Sequence, residues 1–395
     1  MQSALDYCTI FFYNNNMIYL DNASTSSPKA PGLAEFVKDF IDNHCFNINR
    51  GLYNGSFGAG EMVFETREML CDFFGGDKSR NVVFTSGVTQ SLNMVTKGIL
   101  QPGDHVITST MEHNAVYRPL TWLEQHGVNV HYAHCLESGE VCVDDIERLI
   151  KLHSPKMVVT THASNVCGAI MPVAEIGKLC KRYGVLYVLD SAQSAGVLDI
   201  KMNRDNIDAV CFTGHKGLLG LPGVGGIVFN NKTAMMTQPI NHGGTGSFSH
   251  LADMPDVMPD RFEAGTMNLP GIASLYHSLQ YINKIGIENI FAKEKELQKR
   301  FENGIKNFDN VKQVANKAKN RCAVTALDFT LVDHGEAAFR LDDEFEIMTR
   351  SGLHCAPLAH KTLGTFPQGV VRFSFGYENT FDEIDQAIEA IKTIR

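Results

Sequence analysis

Seven short apolar runs alternate with stretches in which apolar residues recur at helical spacing. The runs lie at 81–84, 105–108, 129–133, 156–161, 185–189, 209–212 and 226–229. Several lack the strict alternation of a half-exposed sheet, which favours buried, mostly parallel strands covered by helices on both faces. A helical stretch at 64–74 ends at Gly75-Gly76, a pattern typical of a helix C-terminus. The pattern predicts an α/β domain with a mostly parallel, seven-stranded sheet.

The pattern changes after about residue 270. A long helical stretch covers about 272–305, strand-like segments lie at 323–331 and 370–375, and Thr380 with Glu383 predicts the capping box of a final helix. We expect a large domain at 17–270 and a smaller C-terminal α+β domain at 271–395, with the segment from about 17 to 30 packing on the latter. Residues 1–16 are expected to be an extension. The segment 240–262, rich in Gly, Asp and Pro, is expected to be a long functional loop.

Composition excludes several classes of protein. Lys and Arg number 35 against 44 Asp and Glu, which gives a net charge of −9. A net-acidic chain without a basic run is a poor candidate for a nucleic-acid-binding protein. Ten cysteines are too few for a disulfide scaffold in a chain of this length, so we predict a cytoplasmic location. Because they include no C-x-x-C pair, which is typical of zinc motifs, we predict no metal site. No apolar run approaches the ~18–20 residues of a membrane span.

A lysine and an aspartate at the ends of buried strands are the strongest chemical signal. Lys216 lies in the run Gly214-His215-Lys216-Gly217, where glycines let the chain approach a ligand closely. Asp190 directly follows the run at 185–189, on the ligand side of an open α/β sheet, and a buried aspartate needs a partner. Lysine for an imine and aspartate for a ring nitrogen are the general signature of pyridoxal phosphate enzymes.

Three further segments add to this signal. Thr85-Ser86-Gly87 ends a strand and opens a helix, whose first N–H groups and dipole suit a phosphate. His113 could lie on a cofactor ring. Cys355 has His354 beside it and Arg350 nearby in a predicted loop, and nearby cations make a thiolate available.

Together these segments resemble the class V aminotransferase-type pyridoxal phosphate enzymes, and within them the cysteine desulfurase and selenocysteine lyase family. The resemblance implies the fold type I of pyridoxal phosphate-dependent transferases. It is carried by Tyr19-Leu20-Asp21-Asn22-Ala23, the Thr-Ser-Gly-x-Thr helix start, Met111-Glu112-His113, Ser164-Asn165-Val166-x-Gly168, Asp190-Ser191-Ala192-Gln193, Gly214-His215-Lys216, Phe262-Glu263-Ala264-Gly265-Thr266 and His354-Cys355-Ala356.

The resemblance implies a role for each matching residue around the cofactor ring. Lys216 would hold pyridoxal phosphate as a Schiff base and move the Cα proton. Asp190 would keep the pyridine nitrogen protonated, Gln193 would hydrogen-bond the ring oxygen, and His113 would stack on the ring. The implied phosphate-binding set is Val88, Thr89, Thr213, His215 and, from the other subunit of a homodimer, Thr266.

The resemblance also implies how the substrate is handled. Asn165 and Arg372 would hold its carboxylate, with Arg350 as a further substrate contact. Cys355 would take sulfur from L-cysteine as a persulfide, giving L-alanine, or assist release of selenide from selenocysteine. A sulfur-acceptor protein is a further expected partner.

Four positions depart from the family pattern. Leu353 stands where the second group of desulfurases has the first of two histidines, and Asn49 precedes Arg50 where that group often has a histidine. Val88 replaces a hydroxyl residue, and Thr213 stands where serine is common. These departures bear on substrate preference and sulfur acceptor rather than on the cofactor.

Two alternative functions are left open by the sequence. One is a class V transaminase or another lyase acting on a small amino acid, which would have no need of Cys355. The other is a sulfur-relay or scaffold protein without turnover, which would have no need of Lys216 and Asp190. Cysteine and selenocysteine as substrates are not separated by the sequence.

Overall fold

The computed structural model describes residues 17–48 and 54–395. The predicted extension at 1–16 and the departure at Asn49-Arg50 lie outside the described residues. The strands are β1 Ile18–Tyr19, β2 Val82–Thr85, β3 His105–Ser109, β4 Asn129–Ala133, β5 Met157–Thr161, β6 Leu186–Asp190, β7 Ala209–Thr213, β8 Gly225–Phe229, β9 Val311–Val314, β10 Val324–Phe329, β11 Ile347–Met348, β12 Arg350–Gly352 and β13 Val370–Ser374.

The helices cover both faces of the larger sheet and one face of the smaller. They are α1 Leu33–Asn43, α2 Asn54–Phe74, α3 Val88–Ile99, α4 Asn114–Gln125, α5 Val143–His153, α6 Val173–Tyr183, α7 Met202–Asp205, α8 Asn231–Met236, α9 Leu269–Ile285, α10 Ile287–Ile305, α11 His334–Phe345, α12 Pro357–Thr362 and α13 Phe381–Thr393.

A seven-stranded sheet forms the centre of the larger unit, in the order β2-β8-β7-β6-β5-β3-β4. The neighbours from β7 to β4 pair in parallel, whereas β8 is antiparallel to both β2 and β7. Each of the seven predicted strands forms within one residue of its expected ends. The prediction of a mostly parallel sheet with a smaller C-terminal domain is confirmed. Strands β5 to β8 are buried on both faces, as their unbroken apolar runs indicate.

Two helical predictions are corrected by the structure. Helix α2 begins at Asn54, ten residues before the stretch expected at 64–74, because Gly55, Gly58 and Gly60 weaken the helical signal there. The stretch at 272–305 is two helices rather than one. They are separated at Gly286, whose φ of +88° ends α9 and suits glycine.

The smaller sheet has the order β12-β13-β10-β9 and packs with α10, α11 and α13 around one apolar cluster. Ile18 and Leu20 lie in this cluster, and β1 pairs in parallel with β11. Thr380 and Glu383 form the predicted capping box of α13. Helix α9 instead packs in the core of the larger unit, and the domain limits 17–270 and 271–395 stay a prediction.

The segment between α8 and α9 contains neither helix nor strand from residue 238 to 267, all of which the structure describes. The long loop expected at 240–262 therefore lies inside an irregular segment. Among the described residues, no helix is long and apolar enough to cross a membrane.

Candidate active site

A cavity of about 320 Å³ lies where the parallel strands of the large sheet end. This is the ligand side of an open α/β sheet, and the volume suits a small ligand. Ten of the thirteen residues singled out from the sequence line it: Val88, Thr89, His113, Asn165, Gln193, Thr213, His215, Lys216, Arg350 and Arg372. The other three, Asp190, Cys355 and Thr266, lie outside this lining.

Lys216, which lines the cavity, interacts electrostatically with the buried Asp190. Asp190 ends β6, is 2% exposed, and accepts a hydrogen bond of 2.9 Å from the Ala192 N–H. Desolvation raises the pKa of Asp190, while that hydrogen bond and the charge of Lys216 oppose the rise. Desolvation lowers the pKa of Lys216 to about 8, and Asp190 opposes this fall. Each charge therefore stabilises the other, and the amine of Lys216 loses its proton more readily than an ordinary lysine.

The turn between β2 and α3 forms one wall of the cavity. Gln90 Oε1 accepts a 2.7 Å hydrogen bond from the Ser86 N–H, and no side chain caps the start of α3 at Gly87. The first-turn N–H groups of the helix thus have no intrahelical acceptor and line the cavity at Val88 and Thr89. A Cβ on Gly225 of the neighbouring strand would lie 2.6 Å from the Gly87 Cα, so the close approach requires glycine there.

His215 lies beside this turn with a buried polar atom that has no partner. Its Nδ1 makes no hydrogen bond, and desolvation followed by the charge of Lys216 lowers its pKa to about 4. Its backbone oxygen accepts from the Ser26 N–H and from Lys29 Nζ, at 2.9 and 3.0 Å, which fixes the chain next to Lys216. A buried, unpaired ring nitrogen at a cavity wall is suited to a polar ligand.

His113 is held in place by its own helix and by the residue before it. Its Nδ1 accepts a 3.0 Å hydrogen bond from the Ala115 N–H as the N-cap of α4, so the neutral ring carries its proton on Nε2. Burial, followed by the charge of Lys216, lowers its pKa to about 4. Glu112 ties the segment to β5 by accepting from the Thr161 N–H at 2.8 Å.

Arg372 is fully buried on β13 and faces the cavity from the smaller sheet. Its Nη2 donates to Asp21 Oδ1 at 2.6 Å and to Ser24 Oγ at 2.7 Å, and its Nη1 donates to the Asn165 backbone oxygen at 3.0 Å. Its Nε is buried without a partner. Three of the five guanidinium N–H groups are thus used, and the Nε–H and the second Nη1–H stay available for an acceptor such as a carboxylate.

Asp21 and Ser24 have a positioning role that the sequence analysis did not assign. Ser24 Oγ also donates to Asp21 Oδ1 at 2.9 Å and accepts from Arg350 Nη1 at 3.0 Å. The two residues thus connect the arginines of the smaller sheet to the N-terminal segment. In the sequence, Asp21 belongs to the Asp-Asn-Ala motif, which supported the family resemblance but gave this aspartate no role.

Cys355 is exposed and lines a second cavity of about 330 Å³, which shares Thr89 and His113 with the first. Arg350 Nη2 lies 3.8 Å from its sulfur and donates to it. Two hydrogen bonds to backbone carbonyls of this loop hold it in place. The Cys355 carbonyl accepts from the Asn114 N–H at 2.7 Å, and the His354 carbonyl accepts from Asn165 Nδ2 at 2.6 Å.

The Cys355 loop also has an unusual backbone. His354 and Cys355 have φ of 49° and 55°, in the left-handed region that few residues other than glycine adopt. His354 is buried, its Nε2 lies 3.0 Å from the Arg350 carbonyl oxygen, and its Nδ1 has no partner. The thiol is therefore presented by a short, hydrogen-bonded turn that its neighbours hold in place.

The expected roles of Gln193 and Thr266 stay predictions. Gln193 lines the cavity, and its side-chain amide donates to the Ala23 carbonyl at 3.0 Å. Thr266 does not line the first cavity; it lines one surface cavity with Gly265 and another that shares Ser86, Gln90 and Gly223 with the first. The motif around it is anchored by Glu263, which accepts two hydrogen bonds from the buried Arg67, at 2.8 and 2.6 Å.

Comparison with known proteins gives the class to which this fold and site belong. The family model described as aminotransferase class-V matches residues 18–387. A Pyrococcus abyssi protein named "Probable cysteine desulfurase" is 30% identical over 96% of this chain and 95% of its own length. The apo structure of a cysteine desulfurase from Thermococcus onnurineus is 31% identical, with a TM-score of 0.90 over 96% of this chain and 94% of that one.

A cysteine desulfurase of Escherichia coli in an S-sulfonic acid form is 25% identical, with a TM-score of 0.84 over 95% and 94% of the two chains. The chain therefore belongs to the class V aminotransferase family. Within that family, its relatives place it among the cysteine desulfurases. Enzymes of this family are in general dependent on pyridoxal phosphate, and the predicted family and enzyme class are confirmed.

Proposed function

We propose that this chain catalyses the conversion of L-cysteine to L-alanine, with transfer of the sulfur to Cys355. The observation that carries the proposal is the placement of an exposed thiol, in contact with the Arg350 guanidinium, beside the cavity lined by Lys216. The class V transaminase alternative gives no reason for such a thiol, and the names of the relatives also favour a desulfurase.

The residues of the cavity fit pyridoxal phosphate. The free N–H groups at the start of α3, the Thr213 hydroxyl and the unpaired Nδ1 of His215 would hold the phosphate. Asp190 is a buried acid suited to a protonated ring nitrogen, and Lys216 would bind the cofactor covalently. When bound, the cofactor supplies an electron-accepting ring that weakens the bonds at Cα and Cβ of an amino acid.

Gln193 and His113 would orient the ring from either side of the cavity. The Gln193 amide already donates to the Ala23 carbonyl, so its direction is fixed before a ligand arrives. His113 would cover the ring face with its proton on Nε2, because Nδ1 is used by the helix cap. Both residues are thereby preorganised, which reduces the entropy lost on binding.

Arg372 and Asn165 would bind the substrate carboxylate. The unpaired Nε of Arg372 offers one donor, and its ion pair with Asp21 keeps the guanidinium in place inside the protein. Arg350 lies between this clamp and the thiol, and would contact the substrate as well. Lys216 Nζ would take the Cα proton, a step favoured by its lowered pKa of about 8.

Cys355 would then act as the nucleophile. A bond forms between its sulfur and the substrate sulfur as the Cβ–S bond breaks; the electron pair stays on Cβ, which takes a proton to give alanine. The Arg350 N–H that contacts the Cys355 sulfur would orient that sulfur for the attack. An external thiol would remove the persulfide sulfur and restore the enzyme.

The site is proposed to be completed by a second copy of the chain. Thr266 is exposed and does not line the first cavity of its own chain, as expected of a residue that serves a neighbouring subunit. The Arg67–Glu263 pair fixes the segment that carries it. A homodimer that acts on L-cysteine and passes sulfur to an acceptor protein is therefore proposed.

Replacement of the thiol tests this function. In Cys355→Ser we expect cofactor content to match that of the wild type, because Cys355 lies outside the first cavity, and alanine release from L-cysteine to be lost. Cys45→Ser, at another exposed free cysteine, is the matched control and should keep full activity. Undiminished alanine release in Cys355→Ser would contradict the proposal and favour a transaminase or another lyase. Selenocysteine, assayed in parallel, is expected to be less affected because selenium is the better leaving group.

A further inference from the structure

Three histidines from separate elements meet at the edge of the large sheet. His105 opens β3, His131 lies in the middle of the edge strand β4, and His153 ends α5, which packs over both strands. Ile107 is the register partner of His131, so His105 and His131 point to the same face of the sheet. His113 follows the other end of β3, and this histidine cluster therefore lies away from the candidate active site.

The spacing of the ring nitrogens suits a metal ion. One nitrogen from each ring can be chosen so that all three lie within 4.8 Å of one another, and His105 Nδ1 and His131 Nε2 share a hydrogen bond of 2.9 Å, whose proton a metal ion would replace. At metal–nitrogen bonds of about 2.0–2.1 Å, two ligands at a right angle are about 3.0 Å apart and tetrahedral ligands about 3.4 Å apart. The first pair already has such a separation. Two nitrogens at the 4.8 Å limit would have to approach by about 1.5 Å to become tetrahedral ligands, which is within the reach of a side-chain rotation.

The three rings of the cluster also lie close together. The rings of His131 and His153 stack with centroids 3.7 Å apart, and the His105 ring lies 5.2 Å from that of His131. Imidazole nitrogens gathered in this way are the commonest metal ligands in proteins.

The donor set narrows the choice of ion. The carboxylate of Asp104, next to His105 in the chain, already accepts hydrogen bonds from Lys156 Nζ at 2.8 Å and from the Gln101 N–H at 2.7 Å. Three imidazole nitrogens without a carboxylate favour zinc, copper or nickel over magnesium and calcium. All three rings are half-buried, so water has access to a remaining coordination position.

We propose that His105, His131 and His153 together bind one divalent transition-metal ion of the zinc type. The ion would tie β4 and the end of α5 to β3. Because β4 is an edge strand with hydrogen bonds on one side alone, a link to its neighbours would protect that edge from opening. The role is structural and independent of the desulfurase chemistry.

Metal titration of the holoenzyme tests the site. Untagged, metal-free holoenzyme is dialysed against Zn²⁺, and bound zinc is counted in the wild type, His131→Asn, His153→Asn and the control His126→Asn. His126 is an exposed histidine at the end of α4 and outside the cluster. We expect each cluster variant to bind one zinc fewer than the wild type and the control, with unchanged alanine release. Zinc should also raise the thermal midpoint of the wild type and leave that of the cluster variants unchanged.

Equal zinc binding in the wild type and both cluster variants would overturn the proposal. If the variants do not fold, the wild type alone decides the question by diethyl pyrocarbonate labelling with peptide mapping. Zinc should protect His131 and His153 from the reagent and leave His126 reactive. Equal labelling of His131 and His153 with and without zinc would overturn the proposal. The Cys355→Ser experiment tests the proposed function alone, and its outcome does not affect the proposed metal site.

Discussion

The ion pair between Arg67 and Glu263 is expected to be a main anchor of the irregular segment that carries Thr266. The two side chains are 8% and 6% exposed, and Glu263 Oε1 also accepts a 2.7 Å hydrogen bond from the Phe84 N–H at the end of β2. Glu263→Gln keeps the size of the side chain and an acceptor for Phe84. It removes the negative charge and directs an amide N–H group toward a guanidinium that stays buried.

The size of the effect follows from burial. Removal of one partner of a buried ion pair costs about 3–5 kcal/mol, because the other charge is left without compensation. At about 2.1 cal/mol/K per residue, the 395 residues have an unfolding entropy of about 0.8 kcal/mol/K, so the thermal midpoint should fall by about 4–6 °C. Differential scanning calorimetry of the cofactor-bound protein measures this shift.

An exposed ion pair provides the control. Arg300 and Asp385 are joined by two hydrogen bonds of 2.6 Å, yet their side chains are 49% and 46% exposed. Water and salt screen such a pair, so Asp385→Asn should leave the midpoint unchanged. Equal midpoints for Glu263→Gln and Asp385→Asn would refute the argument from burial. A fall in Glu263→Gln alone would support it.

Four further predictions concern the cavity and its assembly. Borohydride reduction of the holoenzyme followed by peptide mapping should leave the cofactor label on Lys216, and a label elsewhere would refute the assignment. In cofactor-free protein, the reaction of Lys216 with an amine reagent should rise with pH through a midpoint of about 8 instead of the usual 10.5, because deprotonation frees the amine. Asp190→Asn should lower that midpoint further, since Asp190 is the group that stabilises the protonated amine most; an unchanged or higher midpoint would contradict this coupling. Sedimentation should give a homodimer, and a monomer with full cofactor occupancy would contradict the proposed role of Thr266.

The elements that the sequence predicted best are those whose burial leaves an unbroken apolar run. Strands β5 to β8 are buried throughout, and their limits were predicted within one residue. The start of α2 was missed because three glycines interrupt its first turns, which tertiary contacts of Ser56, Ala59 and Val63 hold in helical form. The break at Gly286 was missed because the apolar spacing continues across it.

The candidate site was predictable where the chemistry lies in a short motif. Lys216, Asp190 and Cys355 stand out by their neighbours in the chain. The partners of Arg372 could not be found in this way, because Asp21 and Ser24 come from the other end of the sequence and meet it through the pairing of β1 with β11. The histidine cluster was missed for the same reason: its members lie more than twenty residues apart, without a metal-binding spacing.

Detection of a persulfide tests the central claim most directly. The intact holoenzyme is incubated briefly with L-cysteine, blocked with an alkylating reagent, digested and examined by mass spectrometry. The account predicts that the peptide containing Cys355 gains the mass of one sulfur atom, in proportion to the alanine formed in a single turnover, while the peptide containing the exposed Cys45 does not. Alanine formation without added sulfur on Cys355, or equal sulfur on both peptides, would contradict it.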